Sequence, residues 1–144
     1  MIKIICVGKI KESFYRDAIM EYKKRLDKYH KVEIIEVMDS NINQEKELIL
    51  KKIRERDYII TMEIDGKELD SIEFADFIDK SLIRNSNITF IIGGSNGLHD
   101  DIKKLSNYAL SFSKMTFPHQ LFRVILLEQI YRAFKIIHNE SYHK

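Results

Sequence analysis

A chain of 144 residues with 44% hydrophobic and 32% charged side chains is too apolar to be disordered and suits one folded domain, expected to span 1–144. Its net charge of +2 and pI near 8.5 fall short of the pI above ~9 that marks an overt nucleic-acid binder. The single cysteine, Cys6, excludes an internal disulfide, and no apolar run reaches the ~18 residues of a membrane span.

The first apolar run, "IKIICV" (2–7), has strand length and places Cys6 as a small buried hydrophobe. It lacks a small-residue cleavage site and leads straight into "KIKES", so a secretory leader is not expected and the protein is assigned to the cytoplasm. A helix-like stretch (13–29) precedes the strand "VEIIEV" (32–37), and a second (42–55) precedes "YIITMEI" (58–64). "DGK" (65–67) reads as a turn, after which Asp70 or Ser71 followed by Glu73 opens a capped helix over 71–84. Strand "ITFII" (88–92), helix 99–106, strand "YALSF" (108–112) and helix 119–137 complete the chain. Strands this apolar, alternating with helices, predict the α/β class: a mostly parallel sheet flanked by helices on both faces.

Charge is unevenly spread. Residues 1–31 hold nine Lys/Arg against four Asp/Glu, 102–144 hold seven against two, and 63–101 hold three against nine. A fold that gathers the two basic ends on one side would offer a positive surface to phosphate. In the last helix Glu128, Gln129, Arg132 and Lys135 form one polar stripe and apolar residues cover the rest, more than the outside of a small monomer needs, so a homodimer is expected. Arg123 stands opposite that stripe, where its guanidinium must either meet an anion or a wet cleft, or snorkel past the helix end.

Gly93, Gly94 and Gly97 follow a strand in "GGSNG" with neither dinucleotide-binding nor phosphate-loop spacing, which disfavours a Rossmann oxidoreductase. Bare backbone at the carboxyl end of a parallel strand still permits close approach of a ligand, or else makes a tight turn with a helix cap at Ser95 or Asn96. In "SFSKMTFPHQ" (111–120), Phe112, Met115 and Phe117 are apolar for a surface loop and should pack against something, leaving backbone groups free for a ring edge. The five histidines have no metal-ligand spacing, so no metal site is expected. The tail offers Tyr142 for stacking, His143 for proton exchange and Lys144 for phosphate.

The segments "IKIICVGKIKESFYRDAIMEYKKRL", "IIGGSNGLHDDI", "SNYALSFSKMTFPHQLFRVILLEQIYRAFKI" and "SYHK" resemble, across nearly the whole chain, the SPOUT-class family of large-subunit ribosomal RNA methyltransferases that act on N3 of a pseudouridine in helix 69 of bacterial 23S rRNA. The resemblance implies a C-terminal trefoil knot, an exception to the rule that chains do not thread. It implies S-adenosylmethionine as cofactor, held by Met62, by the glycine loop at Gly93, Gly94 and Gly97, and by Phe112, Ser113, Lys114, Met115, Thr116 and Phe117. It also implies a homodimer whose sites are completed across the interface: Tyr142 stacking on the base, His143 as proton acceptor or orienting donor, Lys144 on RNA phosphate, and Arg123 near the reacting base. A ribosome-associated RNA-binding protein with a vestigial pocket is the alternative, and calorimetry with S-adenosylmethionine separates the two.

Overall fold

The computed structural model describes all of residues 1–144. The elements are β1 (Ile2–Val7), α1 (Ser13–Leu26), β2 (Val32–Val37), α2 (Ile42–Leu50), β3 (Asp57–Glu68), α3 (Ser71–Arg84), β4 (Asn87–Ile92), α4 (Asp100–Leu105), β5 (Tyr108–Ser111) and α5 (His119–Ile137). The strands form one five-stranded sheet in the order β2-β1-β4-β3-β5, every neighbouring pair parallel. Both expected features, the parallel sheet and the alternation of strand and helix, are present.

The two-residue period of the strands divides the core. Ile2, Ile4 and Cys6 of β1, with Ile60, Ile88, Phe90 and Ile92, face α1, α3 and α5 in one buried cluster, while Ile5, Val7, Ile59 and Ile91 face α2 and α4 through Ile49 and Ile102. Cys6 is fully buried and burial pushes its thiol up to about 11, so it packs as a hydrophobe. On the first face α5 lies against both α1 and α3, which uses much of the apolar surface that its sequence presents. The open face of α5 is the half-exposed row Leu121, Val124, Ile125, Glu128, Gln129 and Arg132.

"DGK" does not make a turn. β3 runs on through it to Glu68, and the register with β5 jumps from Met62 to Lys67, both opposite Leu110. Gly66 explains the difference: a Cβ there would lie 2.8 Å from the Ala109 and Leu110 backbone, so only glycine lets the displaced segment press against β5. The bulge throws Glu63 and Ile64 out of the ladder at the strand's carboxyl end, a common device beside binding sites. Asp70 does open α3, in a reciprocal capping box with Glu73. α1 and α2 stop earlier than their patterns suggest, at Leu26 and Leu50.

Candidate functional site

The carboxyl ends of β3, β4 and β5 open into a pocket of about 170 Å³. Met62 and Leu110 form its floor, the 93–97 turn one wall, and residues 112–117 with the first turn of α5 another. Of the residues expected to hold a cofactor, Met62, Gly93, Gly94, Gly97, Phe112, Ser113, Met115, Thr116 and Phe117 line this one space. Lys114 does not; its side chain is exposed outside the lining.

The glycine turn closes on itself. Gly97 donates to the Gly94 carbonyl at 3.0 Å and has φ of 72°, while a Cβ on Gly93 would sit 2.6 Å from the Gly97 oxygen. A Cβ on Gly94 would come within 2.9 Å of Val7 Cγ1, so this turn is also wedged against the end of β1. The cap of the following helix is neither Ser95 nor Asn96. It is His99, whose Nδ1 accepts from the Asp101 N–H at 3.0 Å, a role that imidazole rarely takes.

Opposite the glycines, Ser113 Oγ accepts from the Met115 N–H and the Ser111 hydroxyl donates to the Ser113 carbonyl, folding the loop tightly. Phe112 packs edge-on against Phe74 with centroids 5.7 Å apart and lies 5.4 Å from Phe122, which Phe117 also approaches at 6.1 Å. Phe112 and Phe117 thus pack as expected. Met115 does not: it is 74% exposed at the pocket mouth.

Eight further residues line the pocket beyond the nine expected, and two of them, Glu63 and His119, are titratable. Glu63, carried out by the β3 bulge, accepts from the Thr61 hydroxyl at 2.6 Å and is the carboxylate of the pocket. His119, one place beyond the chain's only proline and without metal-ligand spacing, closes the α5 side.

Arg123 is 2% exposed and does not snorkel. Nη1 donates to Glu36 Oε2 at 2.7 Å, and Nη2 donates to the Val7 and Gly8 carbonyls at 2.9 and 2.6 Å. The anion demanded by its burial is therefore Glu36, and the side chain ties α5 to the ends of β1 and β2. Nearby, Glu45 is 2% exposed and accepts from the Ser40 N–H. Burial raises its pKa above the usual carboxylate value and the neighbouring Asp39 raises it further, against the lowering effect of Ser40. The folded state then holds that proton more tightly than the unfolded chain, so ionised Glu45 weighs against folding at neutral pH. Glu45→Gln should raise stability in urea near pH 7.5, and the gain should shrink toward about pH 4, below the folded pKa. An equal gain at both pH values would refute this ionisation account.

The tail is folded rather than frayed. Asn139 at φ of 56° ends α5, with its N–H donating to the Ile136 carbonyl and the Glu140 N–H to the Lys135 carbonyl, a Schellman turn. Glu140 then accepts from Tyr29 and Lys135. The chain doubles back so that Tyr142 stands edge-on to Tyr131 at 5.0 Å and donates to Glu128, while His143 Nδ1 lies 3.2 Å from Arg132. Lys144 is exposed. Arg132 follows His119 by 13 residues, about 20 Å along the helix at 1.5 Å per residue, so one chain's Tyr142 and His143 lie far from its own pocket.

A parallel sheet whose carboxyl rim carries an apolar slot, walled by a bare glycine turn and holding a single carboxylate, defines an α/β protein with a pocket where open sheets of this kind commonly take ligands. Residues 1–143 match the protein family described as "Predicted SPOUT methyltransferase". The chain belongs to the SPOUT methyltransferase family, and membership implies the C-terminal trefoil knot. It is 49% identical to the ribosomal RNA large subunit methyltransferase H of Caldicellulosiruptor saccharolyticus, covering 100% of both chains. It is 54% identical to the protein of the same name from Clostridium botulinum strain Loch Maree, and 52% identical to a putative one from Methanococcus vannielii, each over 99% of both chains. A probable methylase family protein from Haemophilus influenzae has the same fold, with a TM-score of 0.62 at 15% identity over 99% of this chain and 70% of the other.

Proposed function

We propose that this protein uses S-adenosylmethionine to methylate large-subunit ribosomal RNA, at N3 of a pseudouridine in helix 69 of 23S rRNA, and that it works as a homodimer. The observation that carries the reading is the pocket itself. Glycine backbone that no Cβ could replace and the folded 112–117 loop face each other across an apolar slot, which suits a flat purine and a thioether chain. Glu63 at the bulge supplies the acceptor that a ribose diol requires. The bound cofactor would provide the electrophilic methyl group. The names and high identity of full-length relatives support ribosomal RNA as the acceptor.

Charge distribution supports the same class of substrate. α1, with Lys23, Lys24 and Arg25 in its last turn, packs beside α5 and gives that face of the sheet a basic edge, whereas Lys103 and Lys104 of the C-terminal segment lie on α4 across the sheet. A modest net charge suits an acceptor presented by an assembled ribosome, where many weak contacts add.

Tyr142, His143 and Lys144 lie on the wrong side of their own chain to reach its pocket, and they adjoin the open face of α5. A twofold partner docked on Leu121, Val124 and Ile125 would carry its tail toward this chain's pocket, where His143 can take or orient the N3 proton and Lys144 can hold phosphate. Deleting residues 142–144 should leave cofactor affinity intact and lower single-turnover methylation by about 100-fold. Unchanged turnover would remove the tail from the site. Mass mapping of 23S rRNA from cells with and without the protein tests the acceptor: a pseudouridine in helix 69 should lose 14 Da, the mass of one CH₂, about what exchanging N–H for N–CH₃ adds. An unaltered helix 69 would overturn the assignment.

A further inference from the structure

The sheet order places the topological switch point between β1 and β4, because the chain leaves β1 for β2 on one side and returns through β3 and β4 on the other. Ligands of open α/β sheets bind in the crevice at such points. Here both strands end in glycine: Gly8, at φ of 90°, closes β1, and Gly93 and Gly94 close β4. His119 stands between the two ends. Its Cε1 would lie 3.4 Å from a Cβ built on Gly8, and the same residue lines the pocket beside the 93–97 turn.

Beside the two strand ends Glu45 Oε1, Arg123 Nε and His119 Nδ1 are buried without a hydrogen-bond partner, and of these three residues only His119 lines the pocket. The Arg123 guanidinium serves Glu36, Val7 and Gly8 through Nη1 and Nη2, and its remaining Nε is enclosed. His119 Nδ1 is buried with no hydrogen-bond partner in the protein, although its residue lines the ligand space. A buried ring nitrogen without a partner costs free energy unless a ligand satisfies it.

We propose that His119 contacts the acceptor base directly, its Nδ1 accepting a hydrogen bond from the polar edge of the ring and holding that ring in the β1–β4 crevice in line with the cofactor's methyl group. This rests on the methyltransferase reading above and assigns to His119 the base-side contact for which Arg123 has no free donor in the pocket. In-line placement of the reacting atoms within about 3–3.5 Å removes a large part of a transfer barrier, and one misplaced contact costs on the order of 100-fold. An acceptor role for Nδ1 requires the proton to sit on Nε2.

His119→Leu keeps the bulk and removes the nitrogen; His119→Asn returns a polar atom close to the Nδ1 position. Single-turnover methylation of ribosomes at saturating cofactor should fall about 100-fold in His119→Leu and recover to within about tenfold of wild type in His119→Asn. Cofactor affinity by calorimetry should change less than about threefold in both. Equal rates in all three proteins, or a loss confined to cofactor affinity, would overturn the proposal. In cofactor-free protein carrying ¹⁵N-histidine, S-adenosylmethionine alone should leave the His119 Nδ1 signal without a hydrogen-bond shift; a large shift would reassign that nitrogen to the cofactor. Wild-type protein that leaves ribosomes unmethylated would instead strike at the parent reading.

Discussion

Gly93→Ala should weaken S-adenosylmethionine binding by about 100-fold or more, the loss expected from roughly 3 kcal/mol of strain and displacement. The new methyl carbon would meet the Gly97 carbonyl oxygen at 2.6 Å and the Gly97 carbonyl carbon at 2.7 Å, distances that carbon never tolerates. Both obstacles are backbone, so no rotamer relieves them and the turn must open. Opening breaks the hydrogen bond from the Gly97 N–H to the Gly94 carbonyl and shifts one wall of the pocket. Stability should fall less than affinity does, since the turn is partly exposed and lies at the rim. Isothermal calorimetry on folded variant protein is the measurement. Cofactor binding equal to wild type would show that the glycine turn is not a wall of the cofactor site.

Arg123→Met should cost about 3 kcal/mol of stability and lower the melting temperature by roughly 10 °C. Methionine can fill much of the space, so the loss isolates the polar contacts. Removing the guanidinium leaves the Val7 and Gly8 carbonyls without that donor and Glu36 without its cation. Glu36 is 37% exposed and water can reclaim it, so its share is discounted and the carbonyls carry most of the effect. Arg123→Lys should rescue only part, because one ammonium cannot span three acceptors with the geometry of the guanidinium fork. Thermal melts, read beside single-turnover rates at a temperature where the variant is folded, separate the two roles given to this residue. A variant that melts like wild type yet fails to methylate would place Arg123 on the substrate and refute its structural assignment.

Strand positions were legible because Ile, Val, Phe and Tyr crowd each run, and a parallel sheet covered on both faces leaves no polar alternation to confuse the pattern. "DGK" misled because its turn chemistry is strong locally, whereas the deciding fact, the approach of Gly66 to Ala109 and Leu110, is a contact 43 residues away in sequence. His99 as a cap was invisible for the converse reason: imidazole carries little capping signal, and only the loop path brings Nδ1 to the Asp101 N–H. At the site, the glycine turn and the 112–117 loop could be read from family resemblance. Glu63 could not, because a two-residue strand period says nothing of a bulge that turns it into the pocket. For Arg123 the helix wheel leaves an anion, a wet cleft and snorkelling past the helix end all open, and no spacing rule links it to Glu36, 87 positions earlier. The tail's order depended on Asn139 taking a left-handed conformation that sequence alone only permits.

The strand order also sets a timetable for synthesis. β1 and β2 can pair once residue 37 has left the ribosome, yet the other edge of β1 must wait for β4, whose last residue is Ile92. During that interval an apolar strand edge stays unpaired, an invitation to aggregation that nascent-chain chaperones exist to meet. β5, the 112–117 loop and the first turn of α5 that line the pocket all lie in about the last quarter of the chain, so the pocket cannot form until translation is nearly over. Non-local pairing of this kind makes slow refolding from denaturant the natural behaviour of the chain.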